Sequence, residues 1–244
     1  MRWFWKEIGF FFEVLHSPEI AFQREFPRPS YLAPLCVLGI MGIWISVLQS
    51  PIQMEWMRLQ LEAVGMPAEQ VRARLEMLSR SNVMAALLTP VLLFLRWLLL
   101  ASMLWLTAAV FLDTLTYRKV LTIVAFSYLP ILGRDAVSCM VLLLRGEDAL
   151  RHGDGMTVAL GLNLLFPSMP LPWSALAGSV NIFEVWFVTL LVVGISKATP
   201  ARPSLALAIV MPTWLIAVVL QAALATLVHA INAQFGDPAG IAVR

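Results

Sequence analysis

Charge is what this sequence has least of. Asp, Glu, Lys and Arg make up 13% of its 244 residues, about half the ~25% of an ordinary soluble domain. The formal net charge of +2 is too small to gather a nucleic-acid backbone, so no nucleic-acid partner is expected. Cysteine is nearly absent: Cys36 and Cys139 are the two present. Both fall in apolar segments. The spans drawn below place them near opposite membrane faces, roughly 20 Å apart in depth at 1.5 Å per residue, too far for a disulfide. His16, His152 and His229 have no spacing that makes a metal site. The sequence also lacks an HExxH, a GxSxG, a Walker loop and a dinucleotide fingerprint. Nothing in it points to an enzyme, a cofactor or a metal.

Apolar residues take the space that charge leaves. The chain is 60% hydrophobic, with a mean hydropathy of +0.82. A water-soluble domain of this size buries only roughly 70–75% of its unfolded surface, too little to hide so much apolar area. Lipid is therefore the expected solvent. Nine Trp and thirteen Phe suit interfacial zones, where rings sit at headgroup level.

A membrane span needs about 20 mostly apolar residues. Five stretches qualify: 31–50, 83–112, 120–144, 182–198 and 205–231. The expected fold class is all-α, a polytopic integral membrane protein of about five transmembrane helices with interfacial amphipathic helices. Pro130 and Pro212 are expected to kink their helices. The N-terminal segment 1–30 reads as an interfacial amphipathic helix, not a secretory signal. Glu7 and Glu13 interrupt its apolar run, and Trp3, Phe4, Phe10, Phe11, Val14 and Leu15 are assigned to lipid.

Residues 51–82 mix charge with apolar residues at helical spacing. Val71, Leu75 and Leu78 share a face, and Arg58–Glu62, Arg72–Glu76 and Glu76–Arg80 are i, i+4 pairs. With a break at Gly65 and Pro67, two short amphipathic helices on or above the membrane are expected. Glu55, Glu62, Glu69 and Glu76 recur every seven residues, which a solvated face explains. Residues 145–181 begin polar and then turn apolar for too short a run to cross, so they read as an interfacial or re-entrant loop. Pro167, Pro170 and Pro172 there suggest an extended linker with Trp173 at the interface. A short C-terminal tail covers 236–244. The two short turns, 113–119 and 196–204, are basic and lie on the side of the N-terminus, which favours a cytoplasmic N-terminus.

Inside the spans the charges are few. Arg96, Arg134 and Asp135 lie near the middle of theirs, and Glu184 lies near the start of the fourth. Charges at that depth face protein or water and find partners. Arg134 and Asp135 point about 100° apart on a helix, so Asp135 is expected to meet Arg96 across helices. Arg134 then needs another acceptor: Glu184, a helix-end carbonyl or a lipid phosphate. This centre is either a clamp fixing helix register or a site for an ion, a headgroup or a proton. Ala222, Thr226 and Ala230 form a small-xxx-small row that permits close helix approach.

The order of features resembles a known family. The N-terminal segment ends in HSPEIAF, the third span carries DTLTYRKVLTIVAFSYLP, and the fourth opens NIFEVWFVTLLVVGISKATP. Phe126, Ser127, Tyr128 and Pro130, then Asn181, Phe183 and Trp186, then Gly194 and Ala206, match the pattern of the Yip domain family of Ypt/Rab-interacting membrane proteins. Asn181 stands where an acidic residue is common in that family. The resemblance implies a five-helix all-α membrane domain and a compact bacterial version of it, in the inner membrane. It also implies the lipid bilayer and other membrane proteins as partners, an exporter complex or a second copy of the chain among them. Two functions follow as expectations. One is a non-enzymatic scaffold or accessory subunit for membrane organisation or a transport complex. The other is a small transporter, lipid flippase or channel using the Arg/Asp centre.

Overall fold

The computed structural model describes residues 9, 11, 13–25, 30–112, 114–145, 158–166 and 168–235. The expectations for Trp3, Phe4, Phe10, Pro167, the polar start of the 145–181 loop and the tail 236–244 lie outside them. The described residues form helices and no strand: α1 (Pro18–Glu25), α2 (Leu32–Ala63), α3 (Ala68–Ala109), α4 (Tyr117–Ser127), α5 (Leu129–Leu144), a 3-10 turn (Leu162–Leu165), α6 (Leu171–Gly178), α7 (Ile182–Ala198) and α8 (Pro203–Phe235). Four units are long and apolar enough to cross a membrane: α2, α3, α4 with α5, and α8. A fifth results if α6 and α7, which meet at 59°, are one bent span. The chain is thus an all-α polytopic membrane protein.

The helix-breaking signals at Gly65 and Pro67 hold, but the elements on either side are longer than read from sequence. Residues 51–63 continue α2 through Pro51, and residues 68–82 are the start of α3. At 1.5 Å per residue, α2 is about 48 Å long and α3 about 63 Å, against ~30 Å of hydrocarbon. They therefore form one helical hairpin that outreaches the bilayer. Its tip is a Schellman stop. Gly65, at φ +75°, lets its own N–H reach Glu62 O at 2.9 Å and the N–H of Met66 reach Leu61 O at 3.1 Å. The arms meet closely at Gly39 and Gly42. A Cβ on Gly42 would lie 2.8 Å from Thr89 Cγ2, and one on Gly39 3.1 Å from Pro90 Cβ. Further out, Asn82 Nδ2 donates to Ser50 Oγ at 3.2 Å, and Arg58 bridges Glu55 and Glu62 along the water-exposed side.

The α4–α5 unit is the centre of the bundle. Its most apolar window is 67% buried inside the protein, whereas that of α3 is 11% buried and turns mostly outward. Ile123 and Phe126 of α4 share one core with Leu190, Leu191 and Ile195 of α7 and Ile209 of α8, all nearly solvent-free. Gly194 makes the α4–α7 approach possible: a Cβ there would lie 2.5 Å from Ile123 Cγ2. Because lipid is as apolar as these side chains, close packing, not exclusion from water, holds such helices together.

The N-terminal segment departs from the sequence reading. Phe11 and Val14 are buried in the protein core, not in lipid. The Phe11 ring lies 5.7 Å from that of Phe126, and Phe22 of α1 is fully buried. Lys197, in the last turn of α7, pairs with Glu19 at 2.9 Å. The amphipathic pattern is present, but its apolar face covers the α4–α7 contact. The 170–178 stretch departs as well. Pro172 sits in the first turn of α6, where a missing N–H costs nothing, so a helix forms in place of an extended linker. Trp173 remains exposed. Both Cys36 and Cys139 are free thiols.

Candidate functional site

The intramembrane charges sit where two helices are interrupted. Pro130 cannot offer an N–H to the carbonyl of Phe126. Helix α4 therefore stops at Ser127, and Tyr128, at φ −74° and ψ −9°, joins it to α5. Arg134 and Asp135 follow on α5. Helix α7 starts inside the bundle, capped by Asn181. Its Oδ1 accepts the Glu184 N–H at 2.9 Å, and its Nδ2 donates to Gly178 O at 2.9 Å. This cap fixes Glu184 in the first turn, where the helix dipole also favours a carboxylate.

Arg134 gathers both acids. Its Nη1 donates to Glu184 Oε1 at 3.0 Å, while Nε and Nη2 donate to Asp135 Oδ1 at 3.1 and 2.9 Å. The Glu184 partner is the one the sequence left open for Arg134. The Asp135 pairing corrects the reading that adjacent residues would not meet. Their Cβ atoms do diverge, but the guanidinium is long and forked enough to fold one edge back to Asp135 while the other crosses to α7. The Asp135 side chain is 44% exposed and that of Glu184 10%.

Arg96 is not in this triad, so the expected Arg96–Asp135 bridge is replaced. Its guanidinium carbon lies 5.4 Å from the centre of the Tyr128 ring, and it makes no ion pair with a described carboxylate. Tyr128 is itself wedged between Trp97 and Phe187, with ring centres 5.9 and 6.0 Å away in edge-on geometry. A guanidinium at mid-membrane costs about 2.5–3.5 kcal/mol on the insertion scale. An aromatic face returns roughly 0.5–2 kcal/mol of that. Arg96 is therefore the least compensated charge of the four.

Two cavities flank the Arg96–Tyr128 contact, and both residues line each. One, of about 390 Å³, lies between α2, α3 and α5 and carries Ser46, Gln49, Asp135 and Ser138. The other, of about 450 Å³, lies between α3, the α4–α5 joint, α7 and α8 and carries Glu184, Thr213, Trp214 and Gln221. The bundle is thus not close-packed around its charges. The Trp214 Nε1 is buried and directed at the Glu184 carboxylate. Sequence reasoning found the four charges but missed Tyr128 as the partner of Arg96, and it missed Trp214 and Gln221 altogether. An aromatic face and an indole in an apolar run leave no mark in charge or spacing.

The residues behind the resemblance are mostly helix-contact positions. Phe126 and Ser127 are fully buried, Pro130 is buried at the α4–α5 break, Asn181 is the α7 cap, and Gly194 and Ala206 fit where helices approach. Phe183 lies against Gly133, whereas Trp186 is 37% exposed and turns toward the lipid side. The small row Ala222, Thr226 and Ala230 lies over Pro172 and Leu176 of α6. Among the described residues, no group of three His, Cys, Asp or Glu side chains converges on a metal-sized site.

No curated protein and no solved structure matches the chain. The sequence profile of the Yip1 domain matches residues 12–224, a range that runs from the buried N-terminal segment through α7 and most of α8. The match takes in the capped α7, the broken α4–α5 unit and the α2–α3 hairpin, and on its extent the chain belongs to the Yip1 domain family.

Proposed function

We propose that this protein is a non-enzymatic scaffold or accessory subunit that organises a membrane or a transport complex. Its seat is the inner membrane of a bacterial cell, with a cytoplasmic N-terminus and the hairpin tip on the opposite face. The observation that carries the reading is the hairpin itself. Beyond the bilayer it presents two paired helical arms with Val64 and Met77 exposed at 58% and 67% among charged neighbours, on a rigid capped turn. A protein surface docked on the tip would cover both residues. The test places a photo-crosslinking residue at Met77, and for comparison at Leu106 on the lipid-facing side of α3. A discrete protein adduct from Met77 alone supports the reading. No adduct, or the same adducts from both positions, removes it.

The second reading, a small transporter or lipid flippase, is favoured by the paired cavities, which meet at Arg96 and Tyr128 near mid-depth. It requires flux or lipid scrambling in proteoliposomes, and a fall in that flux when Arg134 is neutralised. Wild-type vesicles no leakier than protein-free ones would eliminate it.

A further inference from the structure

The larger cavity carries one cation and one carboxylate held apart. Arg96 and Glu184 both line it and form no ion pair, although each pairs elsewhere: Arg96 with a ring face, Glu184 through Oε1 with Arg134. Among the described residues, the second oxygen of Glu184 has no cation paired with it, and the side chain of Gln221 has no hydrogen-bond partner. The buried indole N–H of Trp214 is directed at the same carboxylate. The remaining wall is apolar, built from Leu100, Met103 and Leu104 on α3, Phe187 and Leu191 on α7, and Val218 on α8. Helices α3 and α8 touch at the hydroxyls of Thr107 and Thr213, 3.3 Å apart. Past that contact the cavity opens between them, where Leu99, Leu220 and Leu224 are 56–62% exposed toward lipid.

A ligand for this site enters from the bilayer and matches a fixed plus and a fixed minus. We propose that the cavity binds a zwitterionic phospholipid with a primary ammonium. The phosphate sits on the Arg96 guanidinium, the ammonium on the second oxygen of Glu184 and the Gln221 carbonyl, and an acyl chain lies along the apolar wall. The phosphate gives Arg96 the anion that the protein does not supply. The ammonium has N–H donors for a carboxylate already sharing its other oxygen. A trimethylated head has the same charges but no N–H to donate, and a glycerol head has no cation. The inference deepens the transport reading above, because a headgroup held near mid-depth is part-way between leaflets.

Binding is measured apart from flux, by native mass spectrometry of the full chain from nanodiscs with equal parts phosphatidylethanolamine, phosphatidylcholine and phosphatidylglycerol. The wild type retains phosphatidylethanolamine about tenfold over the other two, the ratio expected from one charge-assisted hydrogen bond. Arg96→Gln loses the retained lipid, and Glu184→Gln holds phosphatidylethanolamine and phosphatidylcholine alike. Because Glu184→Gln also loosens Arg134, Ala217→Phe is the second variant. It fills the cavity without touching a charge, keeps the elution profile of the wild type, and releases the lipid. Glycerophosphoethanolamine, the head without chains, does not displace it. Equal retention of the three lipids, retention by Ala217→Phe, or displacement by the head alone would overturn the proposal. Selective retention without scrambling would leave the site standing and remove the transport reading.

Discussion

At the scale of single residues, the centre divides into a triad and a lone cation, and the two respond differently to mutation. Removing Arg134 strands two carboxylates, one of them nearly buried. Breaking a buried pair from one side costs about 3–5 kcal/mol, so Arg134→Gln sharply lowers the yield of folded protein in mild detergent. The double variant Arg134→Gln/Glu184→Gln recovers part of it, as size-exclusion profiles would show. Asp135 is half exposed, and Asp135→Asn costs under about 1 kcal/mol. An equal loss from Asp135→Asn and Arg134→Gln would refute this division. Gly194 makes a purely steric forecast. Gly194→Ala drives a methyl into Ile123 and costs about 1–3 kcal/mol, read as a lower unfolding midpoint, and Ile123→Ala in the same chain relieves it. The charges were legible in the sequence because membrane interiors hold so few. Their partners were not, since Arg134 reaches Asp135 by a side-chain fold that helical angles do not report, and Arg96 rests on a ring.

Elements were legible at their ends more than in their extent. Gly65 and Pro67 marked the hairpin tip, and Ile182–Ala198 emerged with the bounds its hydropathy gave. The first span, drawn as 31–50, stops just before Pro51, which lacks the N–H of one helical hydrogen bond. In the structure α3 packs along the whole of α2, and those contacts outweigh one missing bond. The N-terminal helix shows the same limit: an apolar stripe tells that a face is covered, not whether lipid or protein covers it. The start of α7 allows a direct measurement. Asn181 supplies both halves of a cap, so Asn181→Ala costs about 1 kcal/mol and Asn181→Ser restores much of it. Thermal unfolding in detergent checks the order wild type, Ser, Ala. An alanine variant as stable as the wild type would show that the cap is not needed there.

Taken whole, the molecule has two unlike ends. One carries the short turns at 114–116 and 199–202, drawn in by Trp105 Nε1 donating to Leu115 O at 3.1 Å and by the Lys197–Glu19 pair. The other carries the projecting hairpin. With Cys36 and Cys139 replaced by alanine, a cysteine at Met77 is therefore labelled by a membrane-impermeant maleimide from one face of sealed vesicles, and one at Lys119 from the other. Labelling of both from the same face would contradict the crossing of the membrane by α3. The class of fold was legible from composition alone, because so much apolar surface admits one solvent. The unequal ends were not, because they follow from where α2 and α3 stop relative to the bilayer.

Helix α3 joins those ends in a single rod. Val71, packed under the tip, and Arg96, resting on Tyr128, are 25 residues apart on it, about 38 Å at 1.5 Å per residue, with Pro90 the one interior residue that lacks an N–H. The hairpin tip and the wall shared by the two cavities are therefore parts of one continuous helix.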